Sequence, residues 1–407
     1  APPPDTPVRK RAVFYIPGYD PIHPRRYPEL YRTGSAAQAE ISGYGISLTG
    51  RHGGTRYGWG VKGLIDGVNV DASVDVLVWS DIVRDSMNTS IAAKYAQLLR
   101  TAWVYIGSGA LWRLMRLRKG PVIAALYPIG MLLGQLALAV SLVVLLYSLT
   151  TLAVDHWAMR LLLGLLSCIA GWELLKWLKK KDGKFFAYYL MHDYAYGAAT
   201  RGANTPALEV RIADFGDAIA QVLASDVDEV LVVGHSSGAH LGVSVLADLI
   251  RADCVPSDGP ALAFLSLGQV VSMVSFLKDA HRLRSDLAFL SASDALTWVD
   301  VTAPGDGCAF ALCDPVAVSG VAPEDKRWPL VFSAAFTQSL SPERWKALRW
   351  RFFRLHFQYM CAFDAPRDYD YFQITAGPVT LADRYRDRPP SKSCIEKPVN
   401  KYTSVAP

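Results

Sequence analysis

The amino-acid sequence predicts an α/β protein with a mostly parallel sheet, helices on both faces and an inserted pair of transmembrane helices. Short apolar runs typical of buried strands recur at residues 13–16, 75–79, 230–233 and 296–302. The third run passes through a glycine-rich turn into a helical pattern, as expected where helices cross between parallel strands. Residues 121–154 contain no Asp, Glu, Lys or Arg and predict the membrane insertion.

The first strand begins at Arg11 and ends in a tight loop, Pro-Gly-Tyr at residues 17–19. Gly- and Tyr-rich residues 40–70 predict a β-hairpin, which precedes the apolar strand at residues 75–79. After the insertion, Thr205 and Pro206 have the residue types that cap and begin a helix, and this helix leads into the strand at residues 230–233.

The chain is therefore predicted to form one discontinuous α/β domain. Residues 1–10 are proline-rich and are expected to be a disordered lead. The domain comprises residues 11–118 and 182–386, and residues 119–181 form the membrane insertion. Residues 387–407 are expected to be a loose C-terminal extension.

The insertion is predicted to be a helical hairpin with two membrane crossings. Its uncharged run at residues 121–154 is longer than the roughly 20 helical residues that span a bilayer. A second and less apolar segment follows at residues 161–178. Because the strands before and after the insertion belong to one sheet, both ends must lie on the same side of the membrane. The number of crossings is then even.

Basic residues cluster at both ends of the hairpin, whereas its connecting turn is followed only by Arg160. The cluster before the hairpin is Arg113, Arg116, Arg118 and Lys119, and the cluster after it is Lys176, Lys179, Lys180, Lys181 and Lys184. Positive charge favours the cytoplasmic side, so the domain is expected on the cytoplasmic face of a membrane such as a bacterial inner membrane. These clusters explain much of the net charge of +5. They favour contact with anionic lipid headgroups over nucleic acid.

Residues 234–238 read Gly-His-Ser-Ser-Gly and match the pattern G-x-S-x-G. The two glycines permit a sharp turn that exposes Ser236 at the end of a strand, and apolar residues at helical spacing follow. The alternative is an ordinary glycine-rich turn, but the strand and helix on its two sides favour a nucleophilic serine. His235 and His240 are interpreted as structural, because a histidine inside such a turn points away from the serine.

The turn and the early loop together resemble the α/β-hydrolase superfamily, in its serine esterase and lipase branch, over residues 11–80 and 205–385. The resemblance implies an oxyanion hole formed by the backbone amides of Tyr19 and Ser237. The loop lacks the histidine that many members carry before its glycine. A similar stretch, His-Gly-Gly at residues 52–54, follows no buried strand and is interpreted as a turn.

The superfamily order of serine, acid and histidine leaves few candidates for the base and the acid. Of the eight histidines, only His356 lies beyond the strand at residues 296–302 that is expected to carry the acid. The loop after this strand contains Asp306, at the edge of the sheet where α/β proteins carry their chemistry. Asp300 within the strand and Asp314 further along remain alternatives.

These residues imply a membrane-embedded serine hydrolase that cleaves lipid esters with Ser236 as nucleophile, His356 as base and Asp306 as acid. The expected partners are its lipid substrate and membrane lipids, without nucleic acid. No cofactor or metal is expected, because the six cysteines form no C-x-x-C pair and no zinc-like spacing with histidine. A lipid acyltransferase with the same triad and a non-catalytic membrane scaffold are the alternatives.

Overall fold

The structure is a computed structural model and describes residues 7–19, 24–50, 56–85, 90–152, 154–182 and 187–406. The side chains of residues 83–85, 189, 192 and 193 are not described. The His-Gly-Gly stretch at residues 52–54 lies outside the described residues.

One eight-stranded sheet forms the centre of the protein, in the order β2-β3-β4-β1-β5-β6-β7-β8. Strands β4, β1, β5, β6, β7 and β8 run parallel, and β3 pairs antiparallel with both β2 and β4. The prediction of an α/β fold with a mostly parallel sheet is confirmed. The strands are β1 Lys10–Ile16, β2 Gly45–Thr49, β3 Gly58–Ile65, β4 Val68–Val76, β5 Glu229–His235, β6 Ala261–Leu267, β7 Thr297–Thr302 and β8 Leu330–Ser333.

Helices precede, connect and follow these strands. They are α1 Tyr27–Ser42, α2 Ser80–Asp85, α3 Ile91–Gly107, α4 Ala110–Leu117, α5 Lys119–Thr151, α6 Trp157–Lys180, α7 Ala187–Ala199, α8 Pro206–Leu223, α9 Gly238–Arg251, α10 Ser272–Ser275, α11 His281–Ala292, α12 Pro315–Val318, α13 Phe336–Ser339, α14 Pro342–Leu348, α15 Phe352–His356, α16 Tyr371–Ala376 and α17 Leu381–Arg384.

Both faces of the sheet are covered, because successive side chains of a strand point to opposite faces. Tyr15 of β1 packs in a core that includes Tyr31 of α1. Its neighbour Phe14 packs in a second core with Ile212 of α8 and Leu246 of α9. Helices on both sides of the sheet thus hold β1 and β5 at its centre.

The strand expected at residues 75–79 lies earlier in the chain, at Val68–Val76. It is the second strand of a hairpin with β3, joined through Asp66 and Gly67, which both have positive φ. The turn sets the pairing register of the hairpin, so β4 begins directly after the turn and ends near the start of the predicted apolar run. The prediction that the first strand, this strand and the nucleophile strand are neighbours is confirmed.

Residues 9 and 10 and the described C-terminal segment are more closely attached to the domain than the sequence predicts. Residues 1–6 of the lead expected at residues 1–10 lie outside the described residues, whereas the backbone amides of Arg9 and Lys10 donate to the carboxylate of Asp228. In the C-terminal segment, Ile395 forms a β-bridge with Cys313. The expectation of a loose extension is wrong, because backbone hydrogen bonds fasten this segment along the domain.

Helices α5 and α6 are long and apolar enough to cross a membrane, with 33 and 24 residues. They pack closely at Gly171, where an added Cβ would lie 2.5 Å from Val143. Only 17% of the most apolar stretch of each helix is buried, so large apolar side chains cover the outside of the pair. The turn between them, expected near residues 155–158, ends before Trp157 begins α6.

Candidate active site

Ser236 occupies a strained turn between β5 and α9. Its φ is +56°, a left-handed conformation that residues other than glycine seldom adopt. Its amide donates to the carbonyl of Leu267 at 2.9 Å, which ties the turn to the end of β6. The turn leaves the serine side chain half-buried and on the wall of a cavity. The strand, turn and helix predicted around Ser236 are confirmed.

The loop after β1 lies directly against this turn. A Cβ at Gly238 would collide with the carbonyl oxygens of Ile16 and Pro17, which explains the second glycine of the motif. A Cβ at Gly18 would lie 2.8 Å from Cβ of Ser236. Glycine at both positions therefore allows the two backbones to approach each other beside the serine.

The amides of Tyr19 and Ser237 both lie at this approach. The Ser237 amide is at the N-terminus of α9, where backbone N–H groups have no partner within the helix. The Tyr19 amide donates to Oγ of Ser237 at 2.9 Å. Sequence alone did not indicate this hydrogen bond, which orients the loop and engages one of the two predicted oxyanion donors.

His356 and Asp306 form a hydrogen-bonded pair. Nδ1 of His356 lies 2.7 Å from Oδ2 of Asp306. A carboxylate only accepts hydrogen bonds, so Nδ1 carries the proton and Nε2 is the basic nitrogen of the neutral ring. The other carboxylate oxygen, Oδ1, accepts from the Cys308 amide at 2.9 Å. The structure thus brings together the two residues that chain order predicted.

The alternative acids are engaged elsewhere. Asp300 is fully buried within β7, where it accepts a hydrogen bond from Ser266, and burial raises its pKa to about 8. Oδ1 of Asp314 accepts from the first amides of α12, and its Oδ2 pairs with Lys326 at 2.7 Å. The geometry favours Asp306 over both.

Two further residues position the pair and were missed in the sequence. The hydroxyl of Tyr359 donates to Oδ2 of Asp306 at 3.0 Å. Gly268, at the end of β6, has a φ of +53°, and a Cβ there would lie 2.7 Å from the Tyr359 ring and 3.1 Å from the His356 ring. Only the fold brings these residues to Asp306, so no local sequence pattern points to them.

The histidines near the serine have separate roles. Nε2 of His235 lies 3.0 Å from the carbonyl oxygen of His356, and the two ring centroids are 4.7 Å apart. Burial lowers the pKa of His235 to about 3, so its ring stays neutral beside the catalytic candidate. His240 packs against Trp79, and burial lowers its pKa to about 4.

Because His235 and His240 are interpreted as structural, we expect His235→Ala and His240→Ala each to retain a measurable rate in any assay in which the site is active. His235→Ala loses its hydrogen bond to the backbone of His356, which is worth about 1 kcal/mol, or about fivefold in rate if it acts only on the geometry of the base. The turnover of purified folded variants checks this expectation. If either variant loses as much turnover as His356→Ala does, the structural role of that histidine is contradicted.

A cavity of about 360 Å³ lies beside Ser236 and His356. Most of its other lining side chains are apolar and come from helices α3, α5, α7 and α10 and from the segment around His356. They include Tyr105, Ala124, Leu190, Tyr194, Val270, Met273, Phe353 and Phe357. The cavity can hold an uncharged carbon chain next to the serine, and Arg354 contributes a positive charge to the lining.

Asp306, Cys308 and His356 could also offer three metal ligands, since their ligand atoms lie within 4.8 Å of one another. Burial raises the pKa of the Cys308 thiol, so a metal would have to displace its proton in order to bind there. The carboxylate already accepts from His356, Tyr359 and the Cys308 amide. The donor set suits an acid–base pair better than a metal.

No protein family, curated protein or solved structure matches this chain. The site is therefore interpreted from its own geometry.

Proposed function

We propose that this protein is a membrane-embedded serine hydrolase that cleaves carboxylic esters of lipids. The observation that carries the proposal is the shared cavity of Ser236 and His356, in which His356 is oriented by Asp306. A serine, a histidine and an acid in this relation form the arrangement that activates a hydroxyl for attack on a carbonyl.

In the proposed reaction, Oγ of Ser236 attacks the ester carbonyl and its proton passes to Nε2 of His356. The tetrahedral intermediate then collapses, the ester C–O bond breaks, and the leaving alcohol takes the proton from His356. Water next gives a proton to His356 and attacks the acyl-serine. The bond between the acyl carbon and Oγ then breaks, Oγ takes the proton back from His356, and the carboxylic acid leaves. Asp306 holds the imidazole in the required tautomer and stabilises its positive charge.

The oxyanion would be stabilised by the backbone amides at the approach of the β1 loop to α9. The Ser237 amide has the additional advantage of the positive end of the α9 dipole. The Tyr19 amide would donate to both the oxyanion and Oγ of Ser237. Alternatively, it would release Oγ of Ser237 and donate to the oxyanion alone when the substrate binds. Preorganised donors of this kind contribute about 3 to 4 kcal/mol each in a serine protease.

Several features support assignment to the α/β-hydrolase superfamily. The nucleophile follows β5, the acid follows β7 and the histidine follows β8, in the chain order that the superfamily uses. The loop after β1 meets the nucleophile turn from the adjacent strand. All four chain segments leave the sheet at the carboxyl ends of parallel strands, where open α/β sheets carry their sites.

The lipid substrate is inferred from the position of the apolar hairpin. A Cβ at Gly120, in the first turn of α5, would lie 2.7 Å from the carbonyl oxygen of Gly307 in the acid loop. Arg118 donates to the carbonyl of Ala311 at 2.7 Å. If α5 spans the bilayer, the acid loop and the cavity lie at the membrane surface, where esters with acyl chains are concentrated.

The test of this function uses the purified full chain in detergent. We expect release of fatty acid from glycerides or phospholipids and hydrolysis of short-chain aryl esters, both blocked by a fluorophosphonate. Cells that lack the protein should accumulate the lipid that it cleaves. An added alcohol that takes up the acyl group in place of water would assign the protein to acyl transfer. A purified, folded protein without either activity would support the scaffold alternative.

The proposed topology predicts that the turn between α5 and α6 and the end of α6 lie on opposite sides of the membrane. Single cysteines at Ala158 and Lys181, in a background without the six native cysteines, are treated in intact cells with a membrane-impermeant thiol reagent. We expect labelling at Ala158 alone, because the basic clusters keep the enzyme domain in the cytoplasm.

Each other outcome of this experiment has a different meaning. Labelling at Lys181 alone would place the enzyme domain outside the cytoplasm. Equal protection of both positions would indicate a re-entrant hairpin that returns to the same side.

A further inference from the structure

A second and smaller cavity lies next to the one that contains Ser236. Its volume is about 130 Å³, and its walls come from α3, α4, α5, α7 and α10. The lining is almost entirely apolar and includes Ala102, Leu114, Val122, Ala125 and Ile129. Such a lining suits a hydrocarbon chain and offers little to a sugar, a nucleotide or a charged metabolite.

The two cavities have a common wall. Tyr105, Tyr194 and Met273 line both of them. The hydroxyl of Tyr105 donates to the carbonyl of Met273 at 3.0 Å, which orients the ring along this wall. Methionine is a flexible side chain that adapts to different neighbours, so Met273 can adjust to a chain that passes from one cavity to the other.

Two residues that line the second cavity are also exposed at the surface of the protein. Leu126 of α5 and Ile106 of α3 line the cavity, yet they are 41% and 52% exposed. Leu126 belongs to the uncharged run of α5, one of the two helices long enough to cross a membrane. The second cavity thus shares a wall with the cavity of Ser236 and has lining residues on the surface that lipid would cover.

We propose that the second cavity binds the distal part of a long acyl chain whose ester carbonyl lies at Ser236, and that this chain enters sideways from the bilayer along α5. The inference rests on the proposed function and specifies its substrate as an ester of a long-chain fatty acid. A chain that moves from the bilayer into a carbon-lined cavity remains shielded from water, whereas a route through water would expose every methylene.

The test compares two esters that differ only in the acyl chain, p-nitrophenyl butanoate and p-nitrophenyl hexadecanoate in mixed micelles. In the wild-type chain we expect a higher kcat/KM for the long ester. Ala125→Phe fills the second cavity from α5, and Ala102→Phe fills it from α3. Each is expected to lower the ratio of long-chain to short-chain kcat/KM at least tenfold.

Ala137→Phe is the matched control, because Ala137 is an exposed residue of the same helix and lines neither cavity. It should keep the wild-type ratio. Only variants that react with a fluorophosphonate are compared, which shows that the fold and the nucleophile are intact.

The inference is overturned if a labelled cavity variant keeps the wild-type ratio, or if Ala137→Phe lowers the ratio equally. A wild-type protein that prefers butanoate would overturn it whether or not the variants fold. In each of these cases Ser236 still reacts and the proposed hydrolase function stands. If Ser236→Ala hydrolyses both esters as the wild type does, the proposed function itself fails.

Discussion

Replacement of Ser236 by alanine is expected to lower ester turnover by about 10⁴ to 10⁶-fold, the range expected for loss of the nucleophile from a serine triad. The substitution removes the hydroxyl of Ser236, which lines the same cavity as His356. Ser236 also has the positive φ of the strained turn between β5 and α9. Removal of Oγ leaves the cavity and the backbone amides in place, so binding should persist while covalent catalysis stops.

The measurement is the hydrolysis of a short-chain aryl ester by purified variants whose thermal melting matches the wild type. Ser237→Ala is the neighbouring control, because the proposed mechanism uses its amide and not its hydroxyl. The hydroxyl does accept the hydrogen bond from Tyr19, so this variant also reports how far that bond orients the loop. If Ser237→Ala is inactive and Ser236→Ala is active, the nucleophile has been assigned to the wrong serine.

Asp306→Asn is expected to lower turnover by about 10⁴-fold, as the corresponding change does in the Ser-His-Asp triad of a serine protease. The amide of an asparagine would donate to Nδ1 of His356 and leave the proton on Nε2. The ring could then no longer accept the proton of Ser236. His356→Ala removes the base entirely and should abolish turnover to a similar or greater degree.

The matched controls are Asp300→Asn and Asp314→Asn. Burial raises the pKa of Asp300 to about 8, so at neutral pH its carboxyl is largely protonated and an asparagine changes little electrostatically. Asp314 caps α12 and pairs with Lys326, so its loss should reduce stability more than turnover. An active Asp306→Asn beside an inactive Asp300→Asn or Asp314→Asn would show that the acid is misplaced.

The sequence identified the candidate-site residues that have either a local pattern or a distinctive place in the chain order. Ser236 is recognisable because the strand, the two glycines and the helix that define its turn are consecutive in the chain. His356 was found by chain order, since no other histidine follows β7. The uncharged run of α5 is equally local, because a continuous apolar stretch long enough to cross a bilayer is visible in the composition alone.

The remaining parts depend on contacts between distant segments. Sequence left three acids open, and only the fold shows that Asp306 faces His356 while Asp300 is enclosed in the sheet. Tyr359 and Gly268 reach the pair through tertiary packing. The same holds for the attachment of the C-terminal segment, whose polar composition resembles a loose tail.

The most direct test of the account is the position at which a fluorophosphonate attaches to the purified chain. Peptide mass spectrometry after labelling locates the adduct to a single residue. We predict one adduct, on Ser236, and no adduct in Ser236→Ala. An adduct on any other residue, or labelling of Ser236→Ala equal to that of the wild type, would contradict the assignment of this protein as a serine hydrolase with Ser236 as its nucleophile.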